Sequence, residues 1–205
     1  MAQHSFAASR ALELLAQAPT VFRMSEALAL GVNRYTLYSL LENGLVDRIA
    51  RGLYQLTSLP PVAYPDLMVI ARRVPSGVLC LISALAFHNL TTQIPHLVWV
   101  AMPPRTRHPR IEWPPIRVMR FGGEVYTAGV GTHVLDGISV KVYCAEKTIA
   151  DCFRYRYKVG LDIALEALKD YWRRRRPDVN ALMHYAHICR VDRVIRPYLE
   201  ILLVD

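Results

Sequence analysis

Lysine is scarce in this chain. Of its 25 basic residues only Lys141, Lys147, Lys158 and Lys169 are lysines; the rest are arginines. A bilayer-spanning run is missing too. The longest apolar stretch, Gly77-Val-Leu-Cys-Leu-Ile-Ser-Ala-Leu-Ala-Phe87, falls well short of the roughly 20 residues a membrane helix needs. Glu13 sits where a signal peptide would place its apolar region. These absences imply a soluble, cytoplasmic protein with no membrane partner. Cys80, Cys144, Cys152 and Cys189 form no CxxC pair, so no metal centre is expected and all four read as reduced structural residues. No GxGxxG, Walker A or HExxH motif occurs, and no cofactor is expected.

What is present is a chain of 205 residues, enough for one domain or two small ones. It is 53% hydrophobic and 20% charged, which excludes a disordered tail protein. The formal net charge is +8. Arginine is the forked donor for phosphates and guanine edges, so the balance favours an anionic partner, nucleic acid before membrane. The charge is uneven: residues 1–59 hold five arginines against four acids.

Hydrophobic spacing predicts a helix over 5–18, stopped by Pro19, and a short helix over 25–30 that breaks at Gly31. Asn33 is placed to cap a third helix over 34–43, whose buried face is Leu37, Leu40 and Leu41. Two short strands around Arg51-Gly52 follow. Ser58-Leu-Pro-Pro61 reads as a linker. Beyond it the pattern predicts helices near 65–73 and 76–89, and a buried strand at 97–102. A proline- and arginine-rich loop at 103–115 leads to strands near 116–121, 125–134 and 138–143. Helices near 145–156, 160–173, 178–188 and 191–202 complete the chain.

Three short helices and a hairpin within sixty residues form a winged helix-turn-helix pattern. In that arrangement the third helix lies in the DNA major groove. Its outward positions offer Arg34, Tyr35, Tyr38 and Ser39 to phosphates and base edges. Asn33 could read a base, although capping explains it more cheaply. Arg48 and Arg51 on the hairpin could reach phosphates or the minor groove. The competing reading is a protein-docking module, since this segment is barely basic.

The run Gly31-Val-Asn-Arg-Tyr-Thr-Leu-Tyr-Ser-Leu-Leu-Glu-Asn-Gly-Leu-Val-Asp-Arg-Ile-Ala-Arg-Gly-Leu-Tyr54 resembles the N-terminal domain of AbiEi-type antitoxins of type IV toxin–antitoxin, abortive-infection systems. Ser83-Ala-Leu-Ala-Phe-His-Asn-Leu-Thr-Thr-Gln-Ile-Pro95 and Ala145-Glu-Lys-Thr-Ile-Ala-Asp-Cys-Phe153 resemble that family's antitoxin domain. The resemblance implies a winged helix-turn-helix DNA-binding domain over 1–59 and an antitoxin α+β domain over 60–205. The second domain is expected to be mixed, with an antiparallel sheet and C-terminal helices. It further implies a repressor of its own operon that binds duplex operator DNA and counters a nucleotidyltransferase-like toxin. Inverted operator repeats would place a dimer on DNA. A toxin-docking module without sequence-specific DNA binding and a standalone regulator are the alternatives.

In the second segment Arg105, Arg107, His108, Arg110, Arg117 and Arg120 surround Trp113 and Phe121, a mixture suited to phosphate contact plus stacking. An acidic patch on a toxin would satisfy the same arginines. Arg173, Arg174, Arg175 and Arg176 end a helix, where cations suit the helix dipole, but four exceed what it needs. No catalytic residue is expected. Ser83 and His88 lack an orienting third group, and Glu146 and Lys147 are adjacent rather than in nuclease spacing. His184 and His187, three apart, lack further metal ligands.

Overall fold

The computed structural model describes residues 2–60, 64–173 and 177–204. It is an α+β structure of two compact units. One takes in Met1–Arg73 with Val134–Ser139, the other Val74–His133 with Val140–Asp205.

The first unit opens with α1 (Ala2–Leu15), β1 (Phe22–Arg23), α2 (Met24–Ala29) and α3 (Arg34–Glu42). Strands β2 (Val46–Ala50) and β3 (Leu53–Leu56) and helix α4 (Pro65–Arg73) follow. The α2, α3 and α4 helices and the β2–β3 hairpin fall close to where the hydrophobic spacing puts them. Helix α1 begins and ends about three residues earlier than the expected 5–18, and β1 is a strand the spacing does not announce. Asn33 caps α3: its side-chain oxygen accepts from the Thr36 N–H at 2.8 Å, satisfying a donor the helix cannot. At the other end Gly44 takes φ +67°, and Leu45 N–H and Gly44 N–H bond back to Leu40 and Leu41 carbonyls. That closure needs a left-handed residue, which glycine supplies without a Cβ penalty. Strand β3 lies between β1 and β2, antiparallel to both.

Leu37 and Leu40 of α3 pack with Leu15, Phe22, Ala27, Val46, Tyr54 and Leu56 into one core. Each of the leucine, valine and phenylalanine side chains among them, fully buried, contributes about 1.5–3 kcal/mol. A second cluster joins Val21 and Leu53 to Met68 and Val69 of α4 and to Ile138. Arg72 reinforces it, donating to Glu26 at 2.5 Å and to the Val21 carbonyl at 3.0 Å. The unit therefore runs on through α4 to Arg73, past a boundary at 59/60. The expected linker Ser58–Pro61 reaches into residues outside those described.

The second unit holds β4 (Val78–Leu79), α5 (Leu81–Phe87), β5 (Val98–Met102), β6 (Ile116–Arg120), α6 (Glu124–Thr127), β7 (Val130–Leu135) and β8 (Ile138–Tyr143). Helices α7 (Ala145–Arg154), α8 (Arg156–Val159), α9 (Leu161–Trp172), α10 (Val179–Ile188) and α11 (Asp192–Val204) complete it. Residues 134–139, the turn end of the β7–β8 hairpin, belong to the first unit.

The five-stranded sheet runs β6-β5-β4-β8-β7. The expectation of an antiparallel sheet is corrected in part: β4 and β5 are antiparallel, but the sheet is mixed. Strand β5 runs parallel to β6, from Val98 opposite Ile116 to Met102 opposite Arg120. Strand β4 runs parallel to β8 at Leu79 and Val142. The proline-rich loop 103–115 is long enough to carry the chain back for a parallel neighbour, which a tight hairpin cannot do. Two local expectations also change. The apolar run 76–89 splits into β4 and α5, and 125–134 begins as α6 before becoming β7. Helix α7 lies at the centre. Lys147 through Phe153 are all buried, and the core around them includes Leu85, Phe121, Tyr143, Leu168, Leu182 and Ile195.

Candidate nucleic-acid interface

Helix α3 has two faces of opposite character. Leu37 and Leu40 are buried, while Arg34, Tyr35 and Tyr38 stand outward. Tyr35 is 72% and Tyr38 52% exposed, unusual for large rings that nothing covers. Positions 34, 35 and 38 share one face by the i, i+3, i+4 rule, so guanidinium and phenol donors project together. The polar tips of the tyrosines and the fork of Arg34 suit phosphate oxygens and base edges.

Two other positions on this helix have structural work. Asn33 spends its side-chain oxygen on the cap. Ser39 is half-buried, and Asn43 Nδ2 donates to its carbonyl at 2.7 Å and lies 3.4 Å from its hydroxyl. Arg48 is exposed on β2, and Arg51 is exposed at the hairpin turn, its carbonyl taken by Arg73.

The arginine-rich loop of the second unit is exposed at Arg105, Arg107, His108 and Arg110. Its base is pinned by Arg120, which donates to the Pro103 carbonyl at 3.0 Å and to the Thr106 hydroxyl at 2.7 Å. The two aromatics grouped with these arginines separate. Trp113 is 62% exposed, whereas Phe121 is core, stacked between Tyr143 and Tyr155 with centroids at 5.8 and 5.4 Å. Arg117 lies over Trp99, 4.7 Å from its centroid, a cation–π contact. Arg173 is exposed and 3.4 Å from Asp170. Arg174, Arg175 and Arg176 lie outside the described residues.

The residues weighed for catalysis have other tasks. The Ser83 hydroxyl is buried and accepts the Trp99 N–H at 2.9 Å, and His88 bonds the Tyr143 carbonyl at 2.7 Å. Glu146 accepts from the Tyr171 hydroxyl at 2.8 Å. Lys147 and Asp151 pair with each other in the core. Burial pushes the thiols of Cys80 and Cys152 well up and that of Cys189 up to about 12, which suppresses the reactive thiolate. Among the described residues no three metal-ligating side chains gather, and no helix is long and apolar enough to cross a membrane. Sequence reasoning missed that His184 and His187 share a cleft with Arg154 and Arg190. The histidine spacing was the only signal, and the arginines come from a different helix and a turn.

Residues 9–57, from within α1 to just past β3, match the family described as "Transcriptional regulator, AbiEi antitoxin". The segment that carries the exposed α3 face is thus similar to an antitoxin and regulator family. No curated protein matches the chain. Among solved structures, the RV2827C protein from Mycobacterium tuberculosis superposes with a TM-score of 0.57 at 15% identity. The likeness covers 95% of this chain and 81% of that one, and at that identity it is a likeness of fold.

Proposed function

We propose that this chain is a DNA-binding antitoxin whose first unit is a winged helix-turn-helix that reads operator DNA. The observation that carries this reading is the outward face of α3. Arg34, Tyr35 and Tyr38 are exposed on a helix whose opposite face is locked into the core. That helix lies inside the segment matching the regulator family. In this mechanism α3 enters the major groove, and Ser39 supports it at the groove wall. The hairpin arginines Arg48 and Arg51 hold the flanking backbone. Because the first unit is charge-poor, Arg105, Arg107, Arg110, Arg117 and Arg173–Arg176 add phosphate contacts or meet an acidic toxin surface. Repression of its own operon, a dimer on inverted repeats and action against a nucleotidyltransferase-like toxin complete the reading.

The test is binding of the purified protein to its own upstream duplex beside a scrambled duplex, over a salt series. Selective binding that weakens with salt and disappears in Arg34→Ala is expected. Equal weak binding to both duplexes would overturn the operator reading.

One observation favours a second reading, a toxin-docking module: the exposed Trp113 stands in a loop with three exposed arginines. Such a mixture of aromatic and arginine side chains is typical of interface anchors. Under it, Arg34→Ala is silent, and replacing Arg105, Arg107 and Arg110 by glutamate abolishes neutralisation.

A further inference from the structure

A cleft of about 570 Å³ lies in the second unit, within the size range of small-molecule sites. Its wall includes Glu124 at the start of α6, Arg154 at the end of α7, and His184, His187 and Arg190 along the end of α10. Two arginines, two histidines and one glutamate therefore line the same cleft.

The end of a helix normally offers bare carbonyls, which would repel an anion. Here three of them are already engaged. The Tyr185, Ala186 and His187 carbonyls accept from the N–H groups of Cys189, Val191 and Arg190 at 2.9, 2.8 and 2.9 Å. The Cys189 carbonyl accepts from Arg154 Nη1 at 2.9 Å. That bond uses one of the five donors of Arg154 and fixes its guanidinium at the cleft wall. The side chains lining the cleft are rich in donors, and Glu124 is the carboxylate among them.

Arg190 adds a separate observation. It holds φ +57° at the position just beyond α10. Glycine closes a helix there without strain, and a side chain is held at a cost. One cation near the helix end would answer its dipole; a second guanidinium and two histidines exceed that need.

We propose that this cleft binds a phosphate ester, with Arg154 and Arg190 forking onto the phosphate and His184 and His187 donating beside them. Arginine's planar donor pair matches phosphate oxygens. Glu124 accepts from a hydroxyl of the same ligand, which distinguishes a sugar phosphate from a simple anion. The site is independent of α3 and of the operator reading. The phosphate comes from a free nucleotide or from a nucleic-acid backbone.

The experiment titrates the full-length protein with adenosine monophosphate at constant ionic strength. The ring C–H resonances of His184 and His187 are followed by NMR. Saturable shifts of both histidines are expected. Arg190→Gly should weaken binding about tenfold or more, the loss of one charge-assisted contact. The same variant relieves the strained φ, so its unfolding midpoint should hold or rise, which separates lost binding from lost folding. Absence of a saturable shift at millimolar nucleotide overturns the proposal, as does unchanged affinity in a folded Arg190→Gly. A competing duplex identifies the source: displacement of the nucleotide supports a backbone phosphate, and retention supports a free nucleotide.

Discussion

The ammonium of Lys147 meets both carboxylate oxygens of Asp151, at 2.7 and 2.6 Å, and neither side chain has any exposed surface. The pair sits one turn apart on α7. The Lys147 ammonium also lies 4.4 Å from the Tyr143 ring centroid and 5.1 Å from that of Phe121. The Cys189 thiol donates to Asp151 at 3.2 Å. Burial pushes the Asp151 carboxyl up, and Lys147 pulls it back only in part.

Removing one partner leaves the other charged and buried. Lys147→Met should cost about 3–5 kcal/mol, and Lys147→Met with Asp151→Leu should recover most of that loss. Urea unfolding of the wild type, both single variants and the double variant measures the coupling. A double variant no more stable than its worse single parent would show that the pair is not a self-contained unit.

Gly129 guards the same lysine. A Cβ there would stand 2.8 Å from Lys147 Cβ and 3.2 Å from Cys144 Sγ, and its φ is +73°. Gly129→Ala combines overpacking, about 1–3 kcal/mol, with a left-handed backbone penalty of about 1–2 kcal/mol. The thermal midpoint should fall by several degrees, and an unchanged midpoint would contradict the packing described.

Asn33 and Arg34 are adjacent but should behave oppositely. Asn33→Ala removes the α3 cap and should cost about 1 kcal/mol of stability. Arg34→Ala removes an exposed charge and should change stability by under about 0.5 kcal/mol while abolishing selective DNA binding. Chemical denaturation beside a binding assay checks both. A destabilised Arg34→Ala would mean that its role is structural.

Stability should decline in alkali. In the folded chain the Cys189 thiol is pushed from an ordinary 9.0 up to about 12, chiefly by burial. Cys80, Cys152, Tyr143 and Tyr171 are raised for the same first cause. Above pH 9 the unfolded chain releases the Cys189 proton while the folded chain keeps it, so stability falls as pH rises from 9 towards 12. Urea midpoints at pH 8 and about 10.5 read the effect, and Cys189→Ala should flatten the slope by that group's share. A flat profile in the wild type would refute it.

Local chemistry explains how much could be read from the sequence. The helices and hairpin of the first 57 residues were legible because their signals are short-range. Asn33 stands at a cap, Gly44 at a helix end, and Leu37 and Leu40 at helical spacing. The same spacing told that Arg34, Tyr35 and Tyr38 face outward, although Ser39, expected beside them, is half-buried. What a continuous apolar run becomes was not legible, because 76–89 serves a buried strand or a buried helix equally well. Pairing of Val78 and Leu79 with β5 on one side, and of Leu79 with β8 on the other, made part of it β4.

The sequence by itself determined the caps, turns and amphipathic faces of the first unit, since each depends on residues within a few positions of one another. The tertiary structure decided the parallel sheet pairings and the inclusion of α4 and residues 134–139 in the first unit. It also decided which tryptophan is exposed and the gathering of Arg154, His184, His187 and Arg190 around one cleft. Those outcomes depend on groups brought together from distant parts of the chain, where burial and long-range pairing override local preference.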